Sequence, residues 1–444
     1  MFVVYEVLLY LVFILTAPFF LLTGFLRGKY LSNFPQRMGF YRTKAEAHDL
    51  WIHAVSVGET LAARPVVAEI MRMRPETSIA FTTTTITGQT QARRIYPDAT
   101  VTYFPFDFVF AVRRFLDHHK PRVFATMETE IWPNVSRISR QRGIRLILAN
   151  GRISDRSFPR YRALRPLLAR ILSLYDRVLA REETDRQRFV AIGAPESIVE
   201  TSGNVKFDYE PDVTPLDVAP ELMQLIDGRN VIVLGSTIEG EDELLLPELE
   251  RFVREQNAFA IIAPRKPERF EIVASLLATT SMKYARRSEF IDVIPSVVEG
   301  PGWAAGAPPI PPGPSTTLGM TEAPSVLLLD SFGELAKIYR FATVAFVGGS
   351  LVPAGGHNPI EPAAAGVPVC FGKFMSNFRE IAQVFIDHEA AEQVDSPEAV
   401  FAFARRMFRE ETLRAEWGER ARLAVTQNRG ASERTAQRIV ELLA

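Results

Sequence analysis

Trp51-Ile52-His53-Ala54-Val55 is a run of apolar and β-favouring residues, and Ser56-Val57-Gly58-Glu59-Thr60 leads straight from it, through a glycine, into a helical stretch at 61–73. Strand, tight loop and helix in that order predict one half of a βαβ unit. Further along, 78–84, 101–104, 123–127, 145–149 and 177–180 read as strands, with helices at 108–118 and 161–174 between them. Alternation of this kind is the rhythm of a doubly wound α/β fold with a parallel sheet. It stops at 209–220, where three prolines mark a linker, and restarts with strands at 231–235, 259–263, 326–329, 344–347 and 367–371. The expected organisation is therefore two doubly wound Rossmann-like domains, 28–210 and 211–444, facing a cleft into which the carboxyl ends of both sheets present loops. The polar helices from about residue 397 onward are expected to cover the second domain. Residues 295–324, with Gly-Pro-Gly and Pro-Pro-Ile-Pro-Pro-Gly-Pro, hold few core-forming residues and read as a surface insertion without catalytic part.

The chain has 444 residues, 47% hydrophobic and 23% charged, which excludes wholesale disorder. Its net charge of −1 argues against a nucleic-acid binder. That sum hides an asymmetry: residues 1–212 carry 29 Lys+Arg against 21 Asp+Glu, and the remainder 22 against 31. A basic half fits an anionic surface or substrate. The single cysteine, Cys370, leaves no intramolecular disulfide and no thiolate pair for a zinc site.

Residues 7–26 contain no charged side chain, which is long enough to cross a bilayer core. Glu6 near the start and the lack of an A-x-A cleavage site argue against a secretory signal, so residues 1–27 are expected to be an uncleaved anchor. Pro18 and Gly24 leave a membrane-lying segment open, and a buried core helix is the plain alternative. Arg27, Lys29, Arg37, Arg42 and Lys44 follow at once and place the body on the cytoplasmic side, against anionic inner-membrane lipid.

Several loops carry chemistry. Glu59, in the first turn of a helix after a strand, is either a cap or a general base. Met127-Glu128-Thr129-Glu130-Ile131-Trp132-Pro133-Asn134 repeats the arrangement after the fourth strand, and capping explains one of its two carboxylates but hardly both. Lys206, in Gly203-Asn204-Val205-Lys206-Phe207, stands beside the linker, where it can meet negative charge. In the second domain Pro264-Arg265 follows a strand, and the planar fork of Arg265 suits a phosphate or a base carbonyl. Phe346-Val347-Gly348-Gly349-Ser350 leads through a second glycine pair, Gly355-Gly356, to His357-Asn358-Pro359-Ile360-Glu361, where a helix begins. Bare amides and a helix amino terminus there form an expected anion site, and Glu361 can accept from ribose hydroxyls. His357 is as well explained as a cap. The glycines match no Walker or dinucleotide fingerprint, and no D-x-D occurs, so neither a metal nor a cofactor is expected.

At these residues the chain resembles the bacterial Kdo (3-deoxy-D-manno-octulosonic acid) transferases of lipid A assembly, glycosyltransferase family 30. The matching stretches are 53–60, 127–134, 203–207, 264–270 and 348–364, with Asn377-Phe378. The resemblance implies a GT-B architecture and a metal-independent, inverting transfer of Kdo from CMP-Kdo to the lipid A precursor (lipid IVA) at the cytoplasmic face of the inner membrane. By motif, Glu59 resembles the family's proton acceptor, and Glu128 and Lys206 its transition-state stabilisers. Pro264, Arg265, Phe332, Gly333, Glu334, Asn358, Pro359, Ile360 and Glu361 resemble its CMP site. Ile238 and Lys266 each stand where the family usually has His, and Phe332 where it usually has Met. The rival readings are another GT-B sugar-nucleotide enzyme, a UDP-sugar transferase or epimerase, and a non-catalytic membrane-bound nucleotide-binding protein.

Overall fold

The computed structural model describes residues 2–27, 33–210, 214, 216–291, 323–331 and 333–444, without the side chains of 19–27 and 291. Most of the Pro-rich stretch, part of the linker, Phe332 and the distal side chains of the expected anchor therefore lie outside the described residues. The chain divides into two compact units, residues 1–208 with 428–444, and residues 209–427.

Unit 1 is built on a seven-stranded sheet: β1 Leu50–His53, β2 Ile79–Thr83, β3 Thr100–Tyr103, β4 Val123–Met127, β5 Arg145–Gly151, β6 Arg177–Ala180 and β7 Val199–Thr201. The order is β3-β2-β1-β4-β5-β6-β7, all parallel. Both faces of β1 are buried, as its unbroken apolar run demands in a parallel sheet. Leu50 and Ile52 join the helix Val57–Met73 on one face, while on the other Trp51 stacks on Phe124 and meets Phe115 at a tilt, with centroids 4.0 and 4.3 Å away. His53 is fully buried, its ring stacked on Phe104; burial drives it down to about 3, so it is a neutral core residue.

Unit 2 repeats the plan: β8 Val231–Thr237, β9 Phe259–Pro264, β10 Tyr284–Arg286, β11 Val326–Leu328, β12 Val344–Val347, β13 Val369–Gly372 and β14 Ala391–Val394, in the order β10-β11-β9-β8-β12-β13-β14. Alternate residues of β8 fill opposite cores, Ile232 and Leu234 on one face, Val231 and Val233 on the other.

Two expectations need correction. The helix expected at 161–174 is two helices, Phe158–Ala163 and Arg165–Leu172, the second starting with Pro166 in its first turn. The chain's end does not cover the second unit throughout: the helix Ala431–Leu443 packs Ala436, Ile439 and Leu443 into the core beneath Leu50 and Ile52, and Leu443 accepts a 2.7 Å hydrogen bond from Arg122. Its apolar stripe finds there the open face of the first sheet. The amino terminus forms one helix, Phe2–Arg27. Among the described residues no helix is long and apolar enough to cross a membrane.

Candidate active site

In a doubly wound sheet the crevice opens where strand order reverses, at the carboxyl ends of two neighbouring strands whose crossovers run in opposite directions. In unit 1 those strands are β1 and β4, with His53 level with Thr126. Glu59 follows β1 and Glu128 follows β4, so topology alone brings the two loops together.

Glu59 is the third residue of its helix. Ser56 caps that helix, accepting from the Glu59 amide at 3.4 Å, and the Glu59 carboxylate reaches back to the Val55 amide (2.8 Å) and the Ser56 hydroxyl (3.1 Å). Capping and proton transfer are thus compatible: the cap fixes the carboxylate in place. Burial, then the like charge of Glu128, push Glu59 up to about 7, against those hydrogen bonds and the Lys206 charge. A carboxyl near 7 is ionised often enough at neutral pH to accept a proton and basic enough to do so effectively.

Glu128 has a positive φ of 59°, a strained setting for a non-glycine residue, and its amide donates to the Ala149 carbonyl at 2.8 Å. Its carboxylate is hydrogen-bonded to the buried Arg181 guanidinium and lies 3.8 Å from the Lys206 ammonium. Burial raises Glu128, but Arg181 and Lys206 outweigh it and hold the carboxyl below its ordinary value. Glu128 is therefore a fixed negative charge flanked by cations. Lys206 stands in the 3-10 turn Val205–Asp208 after β7, and Asn150, at positive φ, accepts from the Val205 amide at 3.3 Å. Glu130, without a role assigned from sequence, belongs to the same cluster: burial, then Glu59, push it up to about 7.

In unit 2 the order reverses between β8 and β12, with Val347 level with Gly235. The glycine loop after β12 differs from expectation. Its amides are not bare: Gly349, Ser350 and Leu351 donate to the carboxylate of Glu241, fully buried, at 2.6, 3.0 and 2.9 Å. The chain itself fills the nest, so the loop is a braced platform. Gly349 and Gly356 are close-packed at positive φ, where a Cβ would strike His357 and Met375. Burial, then Arg265, take His357 down to about 4, so it is neutral. Pro264 ends β9, and the Arg265 amide donates to Thr237 at 2.8 Å.

Asn358 hydrogen-bonds the Ile360 amide (3.1 Å) and Glu361 (3.3 Å) at the start of the helix Ile360–Ala364, whose first residue is preceded by Pro359. Burial raises Glu361, opposed by Asn358 and by the charge of Arg265. Arg265, His357, Asn358 and Glu361 thus form one cluster. Gly333 has φ +80°, and Glu334 is held by Ser331 and by Arg287 at 2.7 Å. A 390 Å³ cavity opens beside the loop, with Gly355, Phe371, Lys373 and Arg379 in its walls.

A family profile described as 3-deoxy-D-manno-octulosonic-acid transferase (kdotransferase) matches residues 32–209. The chain is 31% identical to the 3-deoxy-D-manno-octulosonic acid transferase of Haemophilus influenzae, over 94% of this chain and 91% of that one. It is 33% identical to the enzyme of the same name from Bordetella pertussis, over 92% and 91%. Among solved structures it is similar to the UDP-GlcNAc 2-epimerase of Neisseria meningitidis (TM-score 0.56, 11% identity, 90% of this chain and 99% of that one). It is likewise similar to MurG of Acinetobacter baumannii (TM-score 0.51, 13% identity, 89% and 100%). These two likenesses establish a GT-B fold and leave the reaction to be decided by the site and the sequence relatives. On the sequence relatives, whose identity runs through both units, the chain belongs to the 3-deoxy-D-manno-octulosonic acid (Kdo) transferase family and is a glycosyltransferase that moves Kdo in lipopolysaccharide biosynthesis.

Proposed function

We propose that the donor is CMP-Kdo, the acceptor a sugar hydroxyl of the lipid A precursor, and the reaction a single, inverting displacement without metal. Glu59 takes the proton of the acceptor hydroxyl as its oxygen bonds to the anomeric carbon of Kdo. The bond from that carbon to the phosphate oxygen of CMP breaks, and its electron pair leaves with CMP. Glu128 supports the step by raising the basicity of Glu59 and by holding Lys206 in place, where the ammonium offsets the donor's negative charge. Arg265 takes up charge on the departing phosphate. The Gly349–Leu351 amides do not share that work, because Glu241 already occupies them.

Pro264, Arg265, Phe332, Gly333, Glu334 and Asn358 to Glu361 are assigned to CMP. Glu361, whose carboxyl Asn358 orients, accepts from ribose hydroxyls. The cavity beside them, with Lys373 and Arg379 in its walls, offers room and positive charge for a sugar acid. We further assign the protein to the cytoplasmic face of the inner membrane, with the amino-terminal helix as anchor and anionic lipid against the basic half.

The observation that carries this reading is the pairing of Glu59 and Glu128 at the switch point of the first sheet, with Lys206 3.8 Å from Glu128. Mass spectrometry of the lipid after incubation with CMP-Kdo and a tetraacyl lipid A precursor tests it. One or more added Kdo masses are expected; an unmodified acceptor beside consumption of a UDP-sugar would contradict it.

A further inference from the structure

The helix Pro133–Gln141 begins three residues beyond Glu130 and six beyond Met127, and it lacks a cap of its own: Trp132, at the capping position, has no side-chain acceptor. The first amides of a helix need partners. They find one 27 to 28 residues upstream. Asp107, 4% exposed, accepts from the Asn134 amide at 3.0 Å with Oδ2 and from the Val135 amide at 2.8 Å with Oδ1. Its backbone carbonyl accepts from Asn134 Nδ2 at 2.7 Å. The loop bearing Glu128 and Glu130 is thus pinned at one end by the Glu128 amide on Ala149 and at the other by Asp107.

Asp107 is in turn held by the amino-terminal helix. The Tyr5 hydroxyl donates to Asp107 Oδ2 at 2.8 Å. At the next residue, Glu6 accepts from Arg137 at 2.7 Å, and the same guanidinium nitrogen donates to Asn134 Oδ1 at 3.0 Å. Phe2 lies under the Arg137 guanidinium, and Tyr10 stacks on Phe108, the residue after Asp107, at 5.0 Å. An anchor needed only for attachment has no use for polar contacts that end on the helix start beside the carboxylates.

We propose that Asp107 is a positioning residue for the Glu128–Glu130 loop, and that the amino-terminal helix, through Tyr5 and Glu6, is a working part of the catalytic unit. The proposal rests on the reading of that loop as catalytic. Its consequence is that the helix sets turnover as well as location: when Tyr5 releases Asp107, the start of Pro133–Gln141 loosens, and the carboxylates drift from their working positions.

The test uses the full-length chain, comparing Tyr5→Phe, Asp107→Asn, the double variant and Glu128→Gln by steady-state kinetics, with thermal melts to verify folding. For Tyr5→Phe and Asp107→Asn we expect kcat to fall about three- to tenfold or more while KM for CMP-Kdo stays within twofold. The double variant should be no slower than Asp107→Asn alone, because both act through one carboxylate. In Tyr5→Phe, hydrogen exchange at the Asn134 and Val135 amides should accelerate. Wild-type kcat in Tyr5→Phe, with kcat lowered in Glu128→Gln, overturns the proposal, as does a fall confined to KM. Should Asp107→Asn not fold, Tyr5→Phe alone decides. Wild-type turnover in Glu128→Gln would retire the catalytic reading of the loop, and this proposal with it.

Discussion

Three carboxylates crowd the end of the first sheet, and they are not equivalent. Glu128 is kept ionised by Arg181 and Lys206, whereas burial and mutual repulsion push Glu59 and Glu130 up to about 7. Turnover therefore should rise with pH through about 7 as Glu59 ionises. Removing the like charge in Glu128→Gln lowers Glu59, so the acidic limb of its pH–rate profile should move down, at reduced maximal rate; a limb that stays or moves up contradicts the coupling. The same shift sets stability. The folded-state value of Glu59 lies above its ordinary 4.5, so its contribution to the fold is complete below pH 4.5 and is lost as pH rises through 7. Glu59→Gln, neutral throughout, should gain about 2–5 °C in Tm over the wild type between pH 5 and pH 8. Melts whose offset is the same at both pH values would show that burial is not the cause. The position of Glu59 was legible in the sequence, because strand, glycine and helix follow one another within ten residues. That a capping carboxylate is also raised to about 7, as the proposed base requires, was not: that depends on its burial and on Glu128, which only the fold brings near.

At the scale of elements, the central strands were legible, as was the edge strand β3, and the other three edges were not. β1, β4, β8, β9 and β12 are apolar runs because both their faces are buried. The strands that sequence reading missed, β7 (Val-Glu-Thr), β10 (Tyr-Ala-Arg) and β14 (Ala-Glu-Gln-Val), are edge strands of three or four residues. Edges meet solvent and carry polar side chains, which erases the pattern. The glycine loop teaches the converse. Its turns were evident, but the partner of its amides was not, since Glu241 lies 108 to 110 residues upstream and looks there like one more acidic residue of a helix's first turn. Replacing it tests the brace. Glu241→Ala leaves two buried amides and a half-buried one without an acceptor, each buried one costing about 1–3 kcal/mol. The loop should loosen, and KM for CMP-Kdo should rise at least about tenfold; an unchanged KM with an unchanged melt would show the brace to be idle.

For the whole molecule, the two-unit α/β plan followed from the repeating strand–helix rhythm, and the return of the chain to its first unit did not. Ala431–Leu443 carries an ordinary amphipathic stripe that would suit either sheet. Its destination is settled by particular contacts: the Gly430 and Ser432 amides on Asp208, Arg122 on Leu443, and Ile439 in the core below Ile52. A chain ending at Gln427 should therefore expose the core of unit 1 and aggregate; a soluble product with a cooperative melt and full turnover would contradict that assignment. The proposed reaction depends above all on Glu59 removing the acceptor's proton. The most direct measurement is single-turnover Kdo transfer by Glu59→Gln at saturating CMP-Kdo, alongside CMP binding by the same protein. Transfer should fall by about 10²–10⁴-fold with CMP affinity unchanged; transfer within a few-fold of wild type would rule out Glu59 as the base.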